Sequence, residues 1–561
     1  MDPINVVLVW HMHQPEYRDL ASGEFRLPWT YLHAIKDYAD MAAHLERHAE
    51  AHAVVNFAPV LLEQLDIYAR SIQACLETGQ PIPDRLLNCL VSDECFLSDA
   101  ENRLWLIEAC RKANEHRLIK RYPVFDELVQ IGQKMSSPET VGYLYRQYFI
   151  DLTLWYHLAW MGETIKREHP VVKALIEKGR QFTDEDRRNL LAVIGDTIAS
   201  IAPRYRKLAD QGRVELSMSP YAHPMLPLLL DFKSASEAMP DAPLPQADGY
   251  PGGEARCRWH IEQGLQVFER TFGIRPTGCW PSEGGVSDQT LRLLDEYDFH
   301  WAATGENVLN HSLPAEAGNE NSRHRAFRLK GADSIRLFFR DDGLSDLIGF
   351  TYSGWHADDA VGDLINHIHT IRSHCQDPRR HVVSIILDGE NAWEYYPDNG
   401  FYFLDGLYRR LSEDAGIRLT TFNHCVQACR NPTGLPHVVP GSWVYGTFST
   451  WIGDKDKNRA WDLLCQAKSA IDQWLAGNPE AAQKARVLDQ LAVCEGSDWF
   501  WWFGDYNPAT SVRDFDELFR LNLANLYRLA NLQPPEVLSQ PVSAGSADAS
   551  VESGGTMRRG G

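Results

Sequence analysis

The sequence predicts an α/β protein in which a parallel sheet curls around one reaction site. Three observations point there. Apolar runs of strand length recur at residues 4–10, 53–57, 214–218, 299–304, 334–339 and 382–387, with a seventh at Gly278-Cys279-Trp280. Those in the second half are separated by stretches of helical spacing, as in a parallel sheet with crossover helices. Nearly every run ends in acidic, imidazole or aromatic residues, and an α/β barrel builds its site at the C-terminal ends of its strands.

The clearest run is Val382-Val-Ser-Ile-Ile-Leu387, apolar and β-branched as in a strand buried on both faces. It stops at Asp388-Gly389. Asp-Gly is also a common turn pair, and many strands simply end in one. The crowding of Glu390, Trp393 and Glu394 at the same end favours chemistry.

Taken in order, the first run leads into His11-Met12-His13-Gln14-Pro15. Two imidazoles two residues apart on extended chain point the same way. From about residue 61 to 210 the chain is rich in Leu, Ala, Arg and Glu at helical spacing, for example over 101–113, 144–161 and 184–208. That is too long for a crossover, so it is predicted to be a helical insertion. The run at 214–218 feeds Ser219-Pro220-Tyr221-Ala222-His223-Pro224, and 240–253 is a Pro/Gly-rich loop that could cover a cleft. A helix predicted over 256–272 leads to Trp280-Pro281-Ser282-Glu283-Gly284-Gly285. From 405 the pattern is mostly helical (459–475, 479–495, 514–531). The expected domains are therefore a catalytic barrel over 1–404, a helical domain over 405–532, and a disordered Ser/Ala/Gly-rich tail over 533–561.

Composition narrows the function. The 44% hydrophobic and 23% charged residues among 561 are those of a soluble globular protein. A formal charge of 55 − 76 = −21 argues against nucleic acid or an anionic membrane as partner and is compatible with a neutral substrate such as sugar. The 11 cysteines are scattered without a Cys-x-x-Cys pair, as expected of buried thiols in a reducing compartment. With no signal-like start and no run of eighteen apolar residues, the expected location is cytoplasmic.

Glu283 is the second carboxylate of interest. The glycines after it let backbone approach a ligand closely; alone, it reads equally well as a helix-capping residue. Set across a barrel mouth from Asp388, it completes the pair that glycoside cleavage needs. One carboxyl protonates the leaving oxygen, and the other meets the positive charge growing at the anomeric carbon. Farther on, Trp499-Phe500-Trp501-Trp502-Phe503 places five rings in a row, more than one core-facing side can hold. Some should line a groove, where indole suits the C–H faces of sugars, and at least two should lie in a barrel–helix interface. Asp498 and Asp505 flank them and could hold hydroxyls.

Five segments in this order, Trp10 to Pro15, Glu215 to Pro224, Gly278 to Glu283, Leu387 to Trp393 and Glu495 to Trp502, resemble the five sequence regions of glycoside hydrolase family 57. The forms Ser-Pro-Tyr-Ala-His-Pro and Glu-Asn-Ala-Trp-Glu-Tyr-Tyr, with the stretch from Trp451 to Trp461, are most similar to its amylopullulanase and α-amylase branch. The resemblance implies a (β/α)7 barrel, a helical domain after it and a retaining mechanism. Glu283 stands at its nucleophile position and Asp388 at its general acid/base position. Its substrate-binding positions fall on His11, His13, Glu215, His223, Trp280, Glu390 and Trp393, and Asp498, Trp499, Trp502 and Asp505 join them from the aromatic cluster.

The expected activity is cleavage of α-1,4, and secondarily α-1,6, links in an α-glucan or maltooligosaccharide, with no metal and no organic cofactor. The active form is expected to carry Asp388 protonated and Glu283 ionised. Two alternatives stay open. A 4-α-glucanotransferase or glycogen-branching enzyme of the same fold would use the same residues. A metal-dependent amidohydrolase would use His11 and His13 as ligands, but it also needs a bridging lysine and further histidines, and the later strand ends offer Glu283, Glu306 and Asp342 instead.

Overall fold

The computed structural model describes residues 2–313, 322–429 and 431–546. Ten strands form one sheet: β1 (Ile4–Met12), β2 (Ala53–Phe57), β3 (Val214–Met218), β4 (Gly278–Cys279), β5 (Trp301–Thr304), β6 (Phe327–Leu329), β7 (Arg336–Phe339), β8 (Val382–Asp388), β9 (Ile417–Leu419) and β10 (Thr433–Leu435). Seven of them run parallel in the order β8-β1-β2-β3-β4-β5-β7. These are the seven runs read from the sequence, and they form a distorted barrel. Every residue of β1 is buried, as its β-branched run requires.

The two ends of this curled sheet meet at a narrow seam. Arg340 bridges to Ser384, and Asp341 N–H donates to Ser384 O at 2.8 Å. The buried Arg340 guanidinium reinforces the seam, donating to Ile386 O at 2.9 Å and to Asp342 and Asp346 at 2.7 Å each. β4 is only two residues long, and its first position requires a glycine. A Cβ on Gly278 would lie 2.0 Å from the Trp301 ring, so the indole of β5 covers the strand where a side chain would stand.

Between β2 and β3 the chain is helical from Pro59 to Asp210, bounded by the long helices Pro59–Thr78 and Asp184–Asp210. Cys89 and Cys95 in this insertion form a disulfide, and the nine other cysteines are free. That corrects the expectation of thiols throughout. A disulfide is favoured by oxidising surroundings, so the cysteines no longer support a reducing compartment. No helix among the described residues is long and apolar enough to cross a membrane.

The C-terminal part departs from the sequence reading in two places. β9 and β10 lie in the stretch expected to be helical, pairing with β1 and β6; at three residues each they are too short to register as periodicity. Residues 533–546, expected to be a loose tail, are packed: Leu538 and Val542 are buried, and the amides of Val542 and Ser543 donate to Asp516. The rest of that tail, 547–561, lies outside the described residues.

Helices Lys455–Ala476, Ala481–Cys494 and Ala509–Leu529 carry a turn, residues 495–503, to the barrel mouth, where Gly496 bridges to Pro224 after β3. Two buried ionic groups fix it. Glu495 accepts from Arg256 at 2.8 Å, from His260 at 2.8 Å and from Tyr250 at 2.5 Å. Burial pushes the Glu495 carboxyl upward, but the Arg256 charge and the His260 hydrogen bond outweigh it and hold it at about 2. Lys457 donates to the carbonyls of Phe500 and Phe503 at 2.5 and 2.6 Å. Replacing Arg256 by Met removes the charge paired with Glu495 and leaves it only the His260 and Tyr250 hydrogen bonds in the interior, a loss on the order of 3 kcal/mol or more. Denaturant unfolding should show a loss of that order; an unchanged midpoint would remove the anchor from the account.

Candidate active site

The mouth of the barrel opens on a cavity of about 330 Å³. His11, His13, His223, Glu283, Asp388, Glu390, Asp498 and Trp502 all line it, so eight of the sequence-derived site residues meet here. Each stands at or just beyond the C-terminal end of a barrel strand, except Asp498 and Trp502, which the 495–503 turn delivers.

Glu283 sits in a turn after β4 with φ 59°, a left-handed conformation uncommon for a residue with a side chain. Ser497 Oγ donates to its Oε1 at 2.8 Å and Trp443 Nε1 to its Oε2 at 3.3 Å, so both oxygens are oriented. Burial raises the carboxyl to about 8, helped by the negative charges of Asp498 and Asp388 and opposed by those two hydrogen bonds. Asp388 ends β8. Burial raises it to about 6 against the Asn391 hydrogen bond (2.8 Å, to Oδ2) and the His13 and Arg340 charges. A Cβ at Gly389 would meet Met12 Sδ at 2.1 Å, so a side chain there would displace the Met12 thioether.

Both carboxyls of the pair are therefore harder to ionise in this cleft than in open solution, chiefly through burial.

Glu390 is the third raised carboxyl, well above its ordinary value through burial and then the charges of Asp388 and Asp37. Its Oε1 accepts from Gln14 at 3.1 Å and Tyr38 at 3.2 Å, while among the described residues Oε2 has no partner. Burial thus favours the neutral form of Glu390, and in that form the carboxyl is a hydrogen-bond donor as well as an acceptor.

The imidazoles form one array. His11 Nδ1 lies 2.7 Å from Asn56 Oδ1, whose own amide donates to Ser217. His11 therefore carries its proton on Nδ1 and accepts at Nε2 from His223 Nε2, 3.1 Å away. His223 Nδ1 is left as an acceptor 2.9 Å from Ser497 Oγ. Burial holds His11 down to about 3 and His223 well below its usual value, so both rings are neutral. His13 Nε2 bonds Asp498 at 2.9 Å, and its buried Nδ1 has no partner among the described residues.

His13, His223 and Asp498 bring ligand-type atoms within 4.8 Å of one another. The His13 and His223 rings stack, with centroids 3.9 Å apart and planes 21° off parallel. Lone pairs in two such planes do not converge within the roughly 2.1 Å of a metal–imidazole bond, so this placement is a hydrogen-bonding wall rather than a coordination sphere. Glu306 and Asp342, the other acids at strand ends, are tied to each other by Asp342 N–H donating to Glu306 at 2.9 Å.

Five expected site residues do not line the cavity. Glu215 lies near the start of β3, away from the mouth, and accepts from Trp301 at 2.5 Å and from Asn423 N–H at 2.8 Å; it ties strands to the helix Phe422–Ala428. Trp280 is fully buried against Trp443 and His11. Trp393 donates to Gly389 O at 2.9 Å and packs on Trp10 beneath the Asp388 loop. Trp499 donates to Val493 O and packs on Phe515 and Phe519. Asp505 is on the surface, 3.9 Å from Lys455. Of the five-ring run, Trp499, Phe500 and Phe503 are interior while Trp501 and Trp502 face the cleft.

Sequence reasoning missed Asn56, Trp443 and Ser497. Asn56 had a signal, as the one polar residue in a buried Ala-Val-Val-Asn-Phe strand. Ser497 had none.

The sequence profile of glycosyl hydrolase family 57 matches residues 7–438. The chain belongs to that family. Its fold is shared with family 57 branching enzymes from Thermococcus kodakaraensis (15% identity, 94% of this chain and 90% of that one, TM-score 0.58) and Pyrococcus horikoshii (16%, 96% and 96%, 0.56). An α-amylase from Thermotoga maritima is similar in fold at 13% identity, 94% and 93% coverage and TM-score 0.54. No curated protein sequence matches the chain. Family membership makes this a glycoside-active enzyme and the cavity its candidate active site.

The electrostatics of the cavity are directly testable. Asp498 is the largest charge acting on Glu283, so Asp498→Asn should bring the Glu283 carboxyl down from about 8. Isotope-edited infrared titration of the carboxyl stretch reads this; an unmoved midpoint would show that burial alone sets the value.

Proposed function

We propose that this family 57 enzyme hydrolyses α-1,4 links of an α-glucan by double displacement, with α-1,6 links as a second target. The observation that carries the reading is the unequal dress of two carboxyls across one cavity. Glu283 has both oxygens oriented by donors, as suits an attacking group, whereas Asp388 is held through Oδ2 by Asn391, leaving Oδ1 to carry a proton. The cavity wall supports a neutral sugar: the rings of Trp29, Tyr395, Trp501 and Trp502 offer flat apolar faces, and His13 Nδ1 and the free oxygen of Glu390 await hydroxyls.

In the first step a Glu283 oxygen bonds to the anomeric carbon, the carbon–oxygen bond to the leaving sugar breaks, and Asp388 gives its proton to that oxygen. In the second, Asp388 takes a proton from water, the water oxygen bonds to the anomeric carbon, and the glycosyl ester to Glu283 breaks. The reactive arrangement needs the proton on Asp388 and Glu283 ionised, one of the two ways in which the pair can hold a single proton. A glycosidic oxygen only accepts hydrogen bonds, so bound substrate selects the form with Asp388 protonated, and the charge growing at the anomeric carbon favours ionised Glu283.

Ser497 serves this exchange. Its single proton faces two acceptors, His223 Nδ1 and Glu283 Oε1. With Glu283 neutral the hydroxyl satisfies His223; as Glu283 ionises it turns to the carboxylate.

Transfer in place of hydrolysis is the second reading. A sugar hydroxyl replaces water in the second step, and the fold is that of two branching enzymes over nearly their whole length. Product analysis on maltooligosaccharides, pullulan and glycogen decides. Shortened products alone support hydrolysis, whereas lengthened or newly branched ones replace it with transfer.

Glu283→Gln and Asp388→Asn should each retain the fold and lose at least about a thousandfold in kcat, the order expected when a residue of the reacting pair is removed. Either variant with near-full turnover sinks the assignment. The profile of kcat/KM against pH should be a bell with limbs near 6 and 8, because the pair holds one proton between those values. Ser497→Ala removes a hydrogen bond that favours the charged form of Glu283, so the basic limb should move above 8 and kcat fall by about ten- to a hundredfold. A loss of rate with both limbs unmoved would leave Ser497 merely structural.

A further inference from the structure

A second cavity, of about 370 Å³, opens beside the catalytic one. Among the described residues Trp355 is the one exposed tryptophan, at 44%, and Tyr402 is 54% exposed; both rings stand on the rim of this cavity. Its floor is fixed. Tyr352, Tyr396 and Phe403 are buried, with Tyr352 5.4 Å from Trp355 and 6.1 Å from Phe403, and Phe403 5.2 Å from Tyr396. Tyr352 donates to Asp363 at 2.8 Å and Tyr396 to Ile348 O at 2.6 Å, which locks both rings. Arg167 lies 5.0 Å from the Tyr402 ring centre and donates to its hydroxyl at 3.2 Å, which steadies that ring.

We infer that this cavity is an accessory α-glucan site, gripping the polymer away from the bond being cleaved. The inference rests on the α-glucan reading of the catalytic cleft. Rigid exposed indole and phenol rings over an ordered floor suit the C–H faces of sugar rings at little entropic cost. Asp358 and Arg409 on the same rim supply an acceptor and donors for hydroxyls, groups that a purely apolar ligand would leave unsatisfied. The chain's charge of −21 disfavours a polyanion. Continuity with the catalytic cleft singles out a polymer. In the loop after β8, Glu390, Asn391, Glu394 and Tyr395 line the catalytic cavity, and Tyr396, Pro397 and Gly400 line the second one. One chain leaving the first cavity along that loop reaches the second.

The test uses the full-length enzyme and its Trp355→Ala, Tyr402→Ala and Trp355→Phe variants. Retardation in native gels containing glycogen reports binding, and kinetics are compared on glycogen and on maltotetraose. Loss of a stacking ring should weaken glycogen retention and raise the glycogen KM by about fivefold or more in both alanine variants. Maltotetraose kcat/KM should stay within about twofold, and Trp355→Phe should keep most of the binding. Wild-type retention and KM in both alanine variants overturn the inference, as does equal damage on the short and long substrates, which places the effect in the cleft or the fold. A wild-type enzyme that cleaves maltotetraose but is not retarded by glycogen overturns it too, with the functional reading intact. A wild-type enzyme that acts on no α-glucan removes the functional reading, and this inference with it.

Discussion

Six carboxyl groups line one cleft, and burial makes it costly for all of them to be charged at once. Glu283, Asp388, Glu390 and Asp498 line the same cavity, and burial raises the first three. Taking a carboxylate out of water costs more than any single hydrogen bond returns, so the cleft holds protons that open solution would remove. Much of the surrounding structure decides where those protons sit. The neutral His11 and His223 rings, the Ser497 hydroxyl and the Arg340 charge each favour one distribution over another. The tuning is thus collective, and no one residue near the cleft holds it alone.

The cleft also depends on parts of the molecule that do no chemistry. The barrel supplies Glu283, Asp388 and the imidazoles, but Ser497 and Asp498 come from a turn carried by the C-terminal helices. That turn is placed by the buried group around Glu495 and by Lys457, which holds the carbonyls of its aromatic run. Trp280, Trp393 and Trp499 stand one layer behind the site and keep its loops from collapsing. Their neighbours in sequence face the substrate; they themselves face the core.

The strands were legible because runs such as Val382 to Leu387 are buried on both faces and leave an unbroken apolar signature. Asp388 and Glu283 were legible because each interrupts such a run, or follows it, within a cluster of rings and glycines. The errors have equally local causes. Glu215 belongs to a recognisable segment, yet strand direction carries it toward the opposite end of the barrel from His223 eight residues later. Trp280, Trp393 and Trp499 sit beside cleft residues, and a sequence does not reveal which way an indole turns on an irregular loop. The upward shift of Glu283 was out of reach for a different reason: it is set by burial and by Asp498, more than two hundred residues away. Ser497 is one serine among many until the fold puts it 2.8 Å from a carboxylate.

The bridge between Pro224 and Gly496 joins the middle of the chain to a point near its far end. Synthesis runs from the N-terminus, so Glu283 and Asp388 are both made before the turn that carries Ser497 and Asp498. Until residues 495–503 emerge, Glu283 lacks its Ser497 donor and the cleft lacks Asp498 and the Trp501 and Trp502 wall. Assembly of the complete cleft is therefore a late event in translation.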